Sequence, residues 1–174
     1  MDMCNLLEEK MRKRPSSLNS LMDELIASAT EPMPKTKQRY QLTRMYEGLR
    51  AMEVAPEPTV DDWRVVSDAV NLMETLIYEM KICEDTNGLL KDAMKALEAA
   101  GNRSINGKGI RLDANGITAV RSILEDYAAL IEVIPHRTMV NCHRLTEKRL
   151  WAIIEGKRKP HDIHISKQLA QSNK

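Results

Sequence analysis

TVDDWRVVSDAVNLMETLIYEM, residues 59–80, is the stretch that decides the fold. Trp63, Val66, Val70, Met73, Ile77 and Met80 recur every three or four positions. Val65, Ala69, Leu72 and Leu76 widen that stripe, which is the pattern of a helix buried on more than one side. Thr59 with Asp62 three residues on reads as a capping box, and Asp61 and Asp62 place carboxylates at the positive helix end. A helix of about 24 residues would run ~36 Å, long enough to be the central strut of a bundle.

Toward the C-terminus, Asn87-Gly88 predicts a break, followed by a shorter helix marked by Leu89, Leu90, Ala93, Met94, Leu97 and Ala100 and ending at Gly101. In the next stretch Asn106-Gly107 suits a tight primed turn between Ser104-Ile105 and Ile110-Arg111, so a very short β-hairpin over residues 104–111 is the one expected departure from helix. Asp113 predicts the cap of the next helix, carried by Ile117, Val120, Leu124, Tyr127, Ile131 and Ile134, although Gly116 is out of place in a first turn. Pro135 ends it. A last helix reaches Glu155, with Gly156 as its stop.

Toward the N-terminus, Pro56 and Pro58 interrupt the chain after a helix over 37–52, in which Tyr40, Met45, Leu49 and Met52 share a side and Lys37, Arg39, Arg44 and Arg50 spread around the rest. An amphipathic helix from Ser16 or Ser17 to about Ala29, stopped by Glu31-Pro32-Met33-Pro34, and a short one over 2–14 complete the reading. The expected architecture is all-α, a multi-helix bundle of about five to six helices in one compact domain. Residues 1–58 supply N-terminal helices and proline-rich breaks, 59–156 the helical core, and 157–174 a basic flexible tail.

Composition agrees with a globular chain: 174 residues, 43% hydrophobic and 29% charged. With no Phe and eleven Met, the core should be aliphatic and deformable. Cys4, Cys83 and Cys142 are too few and too scattered for a disulfide framework, which points to a reducing cytoplasm. Nothing resembles a signal peptide, and no apolar run approaches the ~18 residues of a membrane span. The net charge of +1 hides an asymmetry, because residues 53–100 carry −7 and the remainder +8.

The catalytic templates fail one by one, and the expectation is a protein that is not an enzyme. Gly101, Gly107 and Gly109 lack the context of a phosphate loop. Cys142 and His143, adjacent on a helix, point about 100° apart and read as a core thiol beside a surface imidazole. His161 and His164, even with His136 or His143, fall short of a closed zinc site, so no metal and no cofactor are expected. Asp61-Asp62 and Glu84-Asp85 read as solvated charge at helix ends. Two binding surfaces remain. Glu74, Glu79, Glu84 and Asp85 lie along the acidic helix and suit a basic protein partner. Lys148, Arg149, Lys157, Arg158 and Lys159, with Trp151 among them, suit phosphates.

DDWRVVSDAVNLMETL (61–76) and AAGNRSINGKGIRLDANGITAVRSILEDYAALIEV (99–133) resemble, over roughly residues 58–155, a family of small helical accessory proteins of proteobacterial phages, prophages and conjugative plasmids. Some of its members are labelled Fis-like regulators. The resemblance implies a mobile element in a bacterial cytoplasm, where such proteins regulate transcription or disable host defences, CRISPR complexes included. Joined to the acidic helix, it gives the leading expectation: a non-enzymatic inhibitor or adaptor acting on a basic host protein or ribonucleoprotein. The alternative is a nucleic-acid-binding transcriptional regulator using the basic C-terminal helix and tail. Either is compatible with homo-oligomers, because the apolar stripes close a bundle between chains as well as within one.

Overall fold

The computed structural model describes residues 25–158. Among them the expected all-α bundle is present as five helices: α1 (Lys35–Val54), α2 (Val60–Glu74), α3 (Leu90–Ile105), α4 (Ala114–Val133) and α5 (His136–Ile154). The helix expected over 2–14 and the tail beyond Arg158 lie outside the described residues, as do residues 16–24 of the second expected helix; of its last residues Leu25 and Ile26 are helical, and the helix stops there rather than at about Ala29. α2 touches each of the other four helices, the position expected of a central strut. Its start is the capping box: the Thr59 amide donates to Asp62 at 2.8 Å and the Asp62 amide to the Thr59 hydroxyl at 3.1 Å. Val66, Val70, Met73 and Leu76 enter a core shared with Met45, Leu49 and Met52 of α1, Leu90 and Leu97 of α3, Ile123, Leu124 and Ile131 of α4, and Met139 of α5.

Two glycines permit close helix approaches. A Cβ on Gly48 would stand 2.8 Å from the Asp62 carbonyl oxygen, so α1 and α2 meet at van der Waals distance only without one. Gly116, out of place by helix propensity, has the same explanation on the other side of the bundle. A Cβ there would lie 2.7 Å from Ala96 Cβ of α3 and 2.9 Å from Asp113 Oδ1, the atom that caps α4 by accepting from the Gly116 amide.

Three local expectations are corrected. α3 does not stop at Gly101 but runs on to Ile105, with Gly101 buried inside the helix. The hairpin over 104–111 is therefore absent: Ser104 and Ile105 are helical, and Gly107 (φ +71°) is the left-handed residue of a Schellman cap. There the Lys108 amide donates to Arg103 and the Gly107 amide to Ser104. Asn-Gly marks a positive φ in both motifs, which is why the two are confused. Gly156 (φ +68°) closes α5 by the same two bonds, as expected.

The third correction concerns the strut. After Glu74 it widens into a π-helical turn over Thr75–Glu79, and Lys81, at φ +55°, ends it. The cause lies across the bundle. Arg149 and Cys142 of α5 donate to the carbonyls of Asn71 and Leu72, and the Thr75 hydroxyl also donates to Asn71. A π bulge and side chains inserted at the ladder are both recognised sites of helix distortion, and here they coincide.

The α5 N-terminus has no side-chain cap; the His136 and Arg137 amides donate instead to the carbonyls of Glu31 and Ser28, which ties the segment before α1 across the α4–α5 junction. No described helix is long and apolar enough to cross a membrane.

Candidate functional site

Four of the nine residues singled out as binding surfaces, Glu74, Glu79, Arg149 and Arg158, meet where the end of α2 and its π turn face α5 and the residues after it. Glu74 and Arg149, with side chains only 5% and 3% exposed, form an ion pair at 2.5 Å. Arg149 Nη2 also donates to the Asn71 carbonyl at 3.0 Å, while its Nε finds no acceptor. Beside them the Thr75 and Thr146 hydroxyls meet at 2.6 Å. Burial lowers the Arg149 pKa, and the Glu74 and Glu79 carboxylates oppose that shift. Arg158 reaches back to Glu79 at 3.1 Å. Two of the four acidic candidates thus bind two of the five basic ones.

Neither surface stands as expected. Glu74 is interior, Glu79 is half-buried and paired, and Asp85 accepts from the Leu89 and Leu90 amides at 3.1 and 3.2 Å, capping α3; Glu84 alone of the four is exposed. Arg149 is interior, Arg158 is paired, and Lys157 lies 2.6 Å from Glu155; Lys148 is exposed, and Lys159 lies outside the described residues. The sequence did contain a signal for the inward pair. Glu74 falls four after Val70 and three before Ile77, and Arg149 three after Thr146 and seven after Cys142, so both occupy the apolar stripes of their helices.

The thiol of Cys142 is buried in this seam and its pKa is pushed up to about 12, chiefly by burial. His143 is half-buried rather than on the surface, and desolvation lowers its pKa to about 4. Among the described residues no three His, Cys, Asp or Glu side chains converge on a possible metal position. His161 and His164 lie outside them.

Charge left facing outward is found on α1. Lys35, Lys37, Arg39, Arg44 and Arg50 are all exposed, against one exposed acid on this helix, Glu47. Arg39 and Arg50 make no ion pair among the described residues. Tyr40 is 64% exposed and Tyr46 39%, two of the four tyrosines in the chain. The Arg44 guanidinium sits 6.0 Å from the Tyr40 ring centre, at the outer limit of a cation–π contact. An open cleft of about 550 Å³ runs along this face, lined by Arg39, Leu42, Thr43, Tyr46 and Arg50, with Lys35 and Glu132 at one end. Helical spacing explains the row, because positions 39, 43, 46 and 50 fall on one side of a helix. The bases of α1 were visible in the sequence, but they were counted as the polar remainder of an amphipathic helix. Their local excess over acids, interleaved with two tyrosines, is the signal that marks them.

A second charged patch gathers Asp126, Asp85 and Glu125, with the exposed Glu84 next to Asp85 in the chain. The Asp126 carboxyl is raised by burial and then by the neighbouring Asp85 and Glu125. Cys83, half-buried, is raised by burial and by Asp126 and Asp85. No family model, no curated protein and no solved structure matches this chain.

Proposed function

We propose that this protein is a non-enzymatic binding module that holds nucleic acid against the outer face of α1. The observation that supports the reading is the cleft along that helix, lined by Lys35, Arg39 and Arg50 against Glu47 and Glu132: Lys35 lies 3.9 Å from Glu132, while Arg39 and Arg50 make no ion pair among the described residues. Guanidinium groups in such a row neutralise phosphates whatever the base sequence. The regulator reading from the sequence is kept in kind and moved in place, from α5 and the tail to α1. The mobile-element setting comes from the sequence resemblance and remains part of the proposal.

Fluorescence anisotropy with a labelled oligonucleotide tests it. The double variant Arg39→Glu/Arg50→Glu should weaken binding by about tenfold or more at low salt, because two phosphate contacts become repulsive. Lys148→Glu should change little. Equal binding by wild type and the double variant removes the reading.

A second reading is favoured by Asp126. Burial first, and then the neighbouring Asp85 and Glu125 carboxylates, raise the Asp126 carboxyl, and Glu84, next to Asp85 in the chain, is exposed. That patch suits a basic protein or ribonucleoprotein, the partner of an inhibitor or adaptor such as an anti-defence protein. Glu84→Lys/Asp126→Lys should abolish capture of such a partner with helicity unchanged, and retained capture removes this reading.

A further inference from the structure

We infer that the ligand of the α1 face is a single strand, with Tyr46 in the cleft as the platform on which one of its bases stacks. The inference rests on the nucleic-acid reading above and narrows it. Arg39 and Arg50 are eleven residues apart, about 16 Å along the helix axis, and Tyr46 lies between them on the same side. A strand laid along α1 therefore has a cation at each end of a short run of phosphates and an aromatic ring between them, nearer Arg50. Base–aromatic stacking of this kind tolerates any sequence, because every base has a π-face.

The acids of the cleft argue against a duplex. Glu47 and Glu132 line the same opening as the arginines, and Glu125 is near enough to raise the Tyr46 phenol, though less than burial does. A duplex pressed onto α1 carries phosphates on both sides of the groove that receives the helix, so one backbone meets these carboxylates. A single strand has one backbone. It can lie on the basic rim and turn its bases over the carboxylates and Leu42, where no phosphate is opposed to a like charge. Tyr40, the more exposed of the pair, carries Arg44 beside its ring, and stacking supplemented by an arginine is a recurrent feature of single-strand binders.

The test uses the full chain and labelled strands of about twelve nucleotides: one DNA, one RNA of the same sequence, and the blunt DNA duplex. At equal salt, a single strand should bind about tenfold tighter than the duplex. Tyr46→Ala should cost that strand about tenfold and the duplex nothing, while Tyr46→Trp should restore it, since the aromatic face is what is needed. Whichever sugar shows the Tyr46 dependence is the natural ligand. Circular dichroism of each variant separates lost stacking from lost folding. Equal affinity for strand and duplex, or a Tyr46→Ala variant that binds as wild type, overturns this inference; if Arg39→Glu/Arg50→Glu still weakens binding in that case, the broader reading stands. No binding of any of the three by wild type overturns both.

Discussion

The seam between the π turn and α5 and the outer face of α1 both carry charge at close spacing, and they use it in opposite ways. In the seam Glu74 meets Arg149 and Glu79 meets Arg158, so opposite charges on elements far apart in sequence cancel inside the fold. On α1 the bases are exposed, and although Lys35 lies 3.9 Å from Glu132, Arg39 and Arg50 make no ion pair among the described residues. A run of charge in a sequence is therefore available to a partner only if its helix turns it outward. Periodicity relative to the apolar stripe decides that, and raw counts do not.

If the seam is a true interior pair, its disruption should give the largest effect in the molecule. Arg149→Ala leaves Glu74 buried and uncompensated, which should cost about 3–5 kcal/mol in urea denaturation, whereas Glu74→Met/Arg149→Leu should recover most of that loss. A single variant as stable as wild type would mean that the two regions do not differ as described.

Acid should act on the same helix. His143, with its pKa lowered to about 4 against an ordinary 6.5, is neutral when folded and takes up a proton on unfolding. The unfolded chain binds more protons between those values, so this group's contribution is full above about pH 6.5 and is lost as pH falls toward 4. His143→Asn should flatten the dependence of the urea midpoint on pH in that window, and an unchanged slope would place the imidazole in water. A smaller effect is expected at the edge of the seam: Arg158→Ala breaks a partly exposed pair with Glu79 and should cost under about 1 kcal/mol. At the bottom of the series, Arg39→Ala/Arg50→Ala should leave stability within about 0.5 kcal/mol, as surface changes do. A larger loss there would show that α1's arginines hold the fold together after all.

Signals confined to neighbouring residues were legible. The Thr59–Asp62 capping box, the Asp113 cap, the Gly156 stop and the stripe that makes α2 the strut follow from patterns a few residues long. Asn106-Gly107 was half legible, since it announces a left-handed glycine without saying whether a strand or a helix precedes it. The π turn was not legible, because its cause is the reach of Arg149 and Cys142 to carbonyls on another helix. Gly116 became intelligible only with Ala96 beside it. The candidate site was the least legible part. Arg39 and Arg50 stood out only as part of a polar remainder and Tyr46 and Lys35 not at all, while the acidic and basic runs, conspicuous by density, are partly one another's partners.

The salt dependence of oligonucleotide binding tests the central claim most directly, because each neutralised phosphate adds about 0.9 to the slope of log affinity against log salt. Measured between about 50 and 200 mM salt, wild type should show a steep slope, and Arg39→Ala/Arg50→Ala should lower its magnitude by close to two. A flat wild-type line, or a slope the double variant leaves untouched, would contradict the assignment of α1 as the surface that meets the ligand.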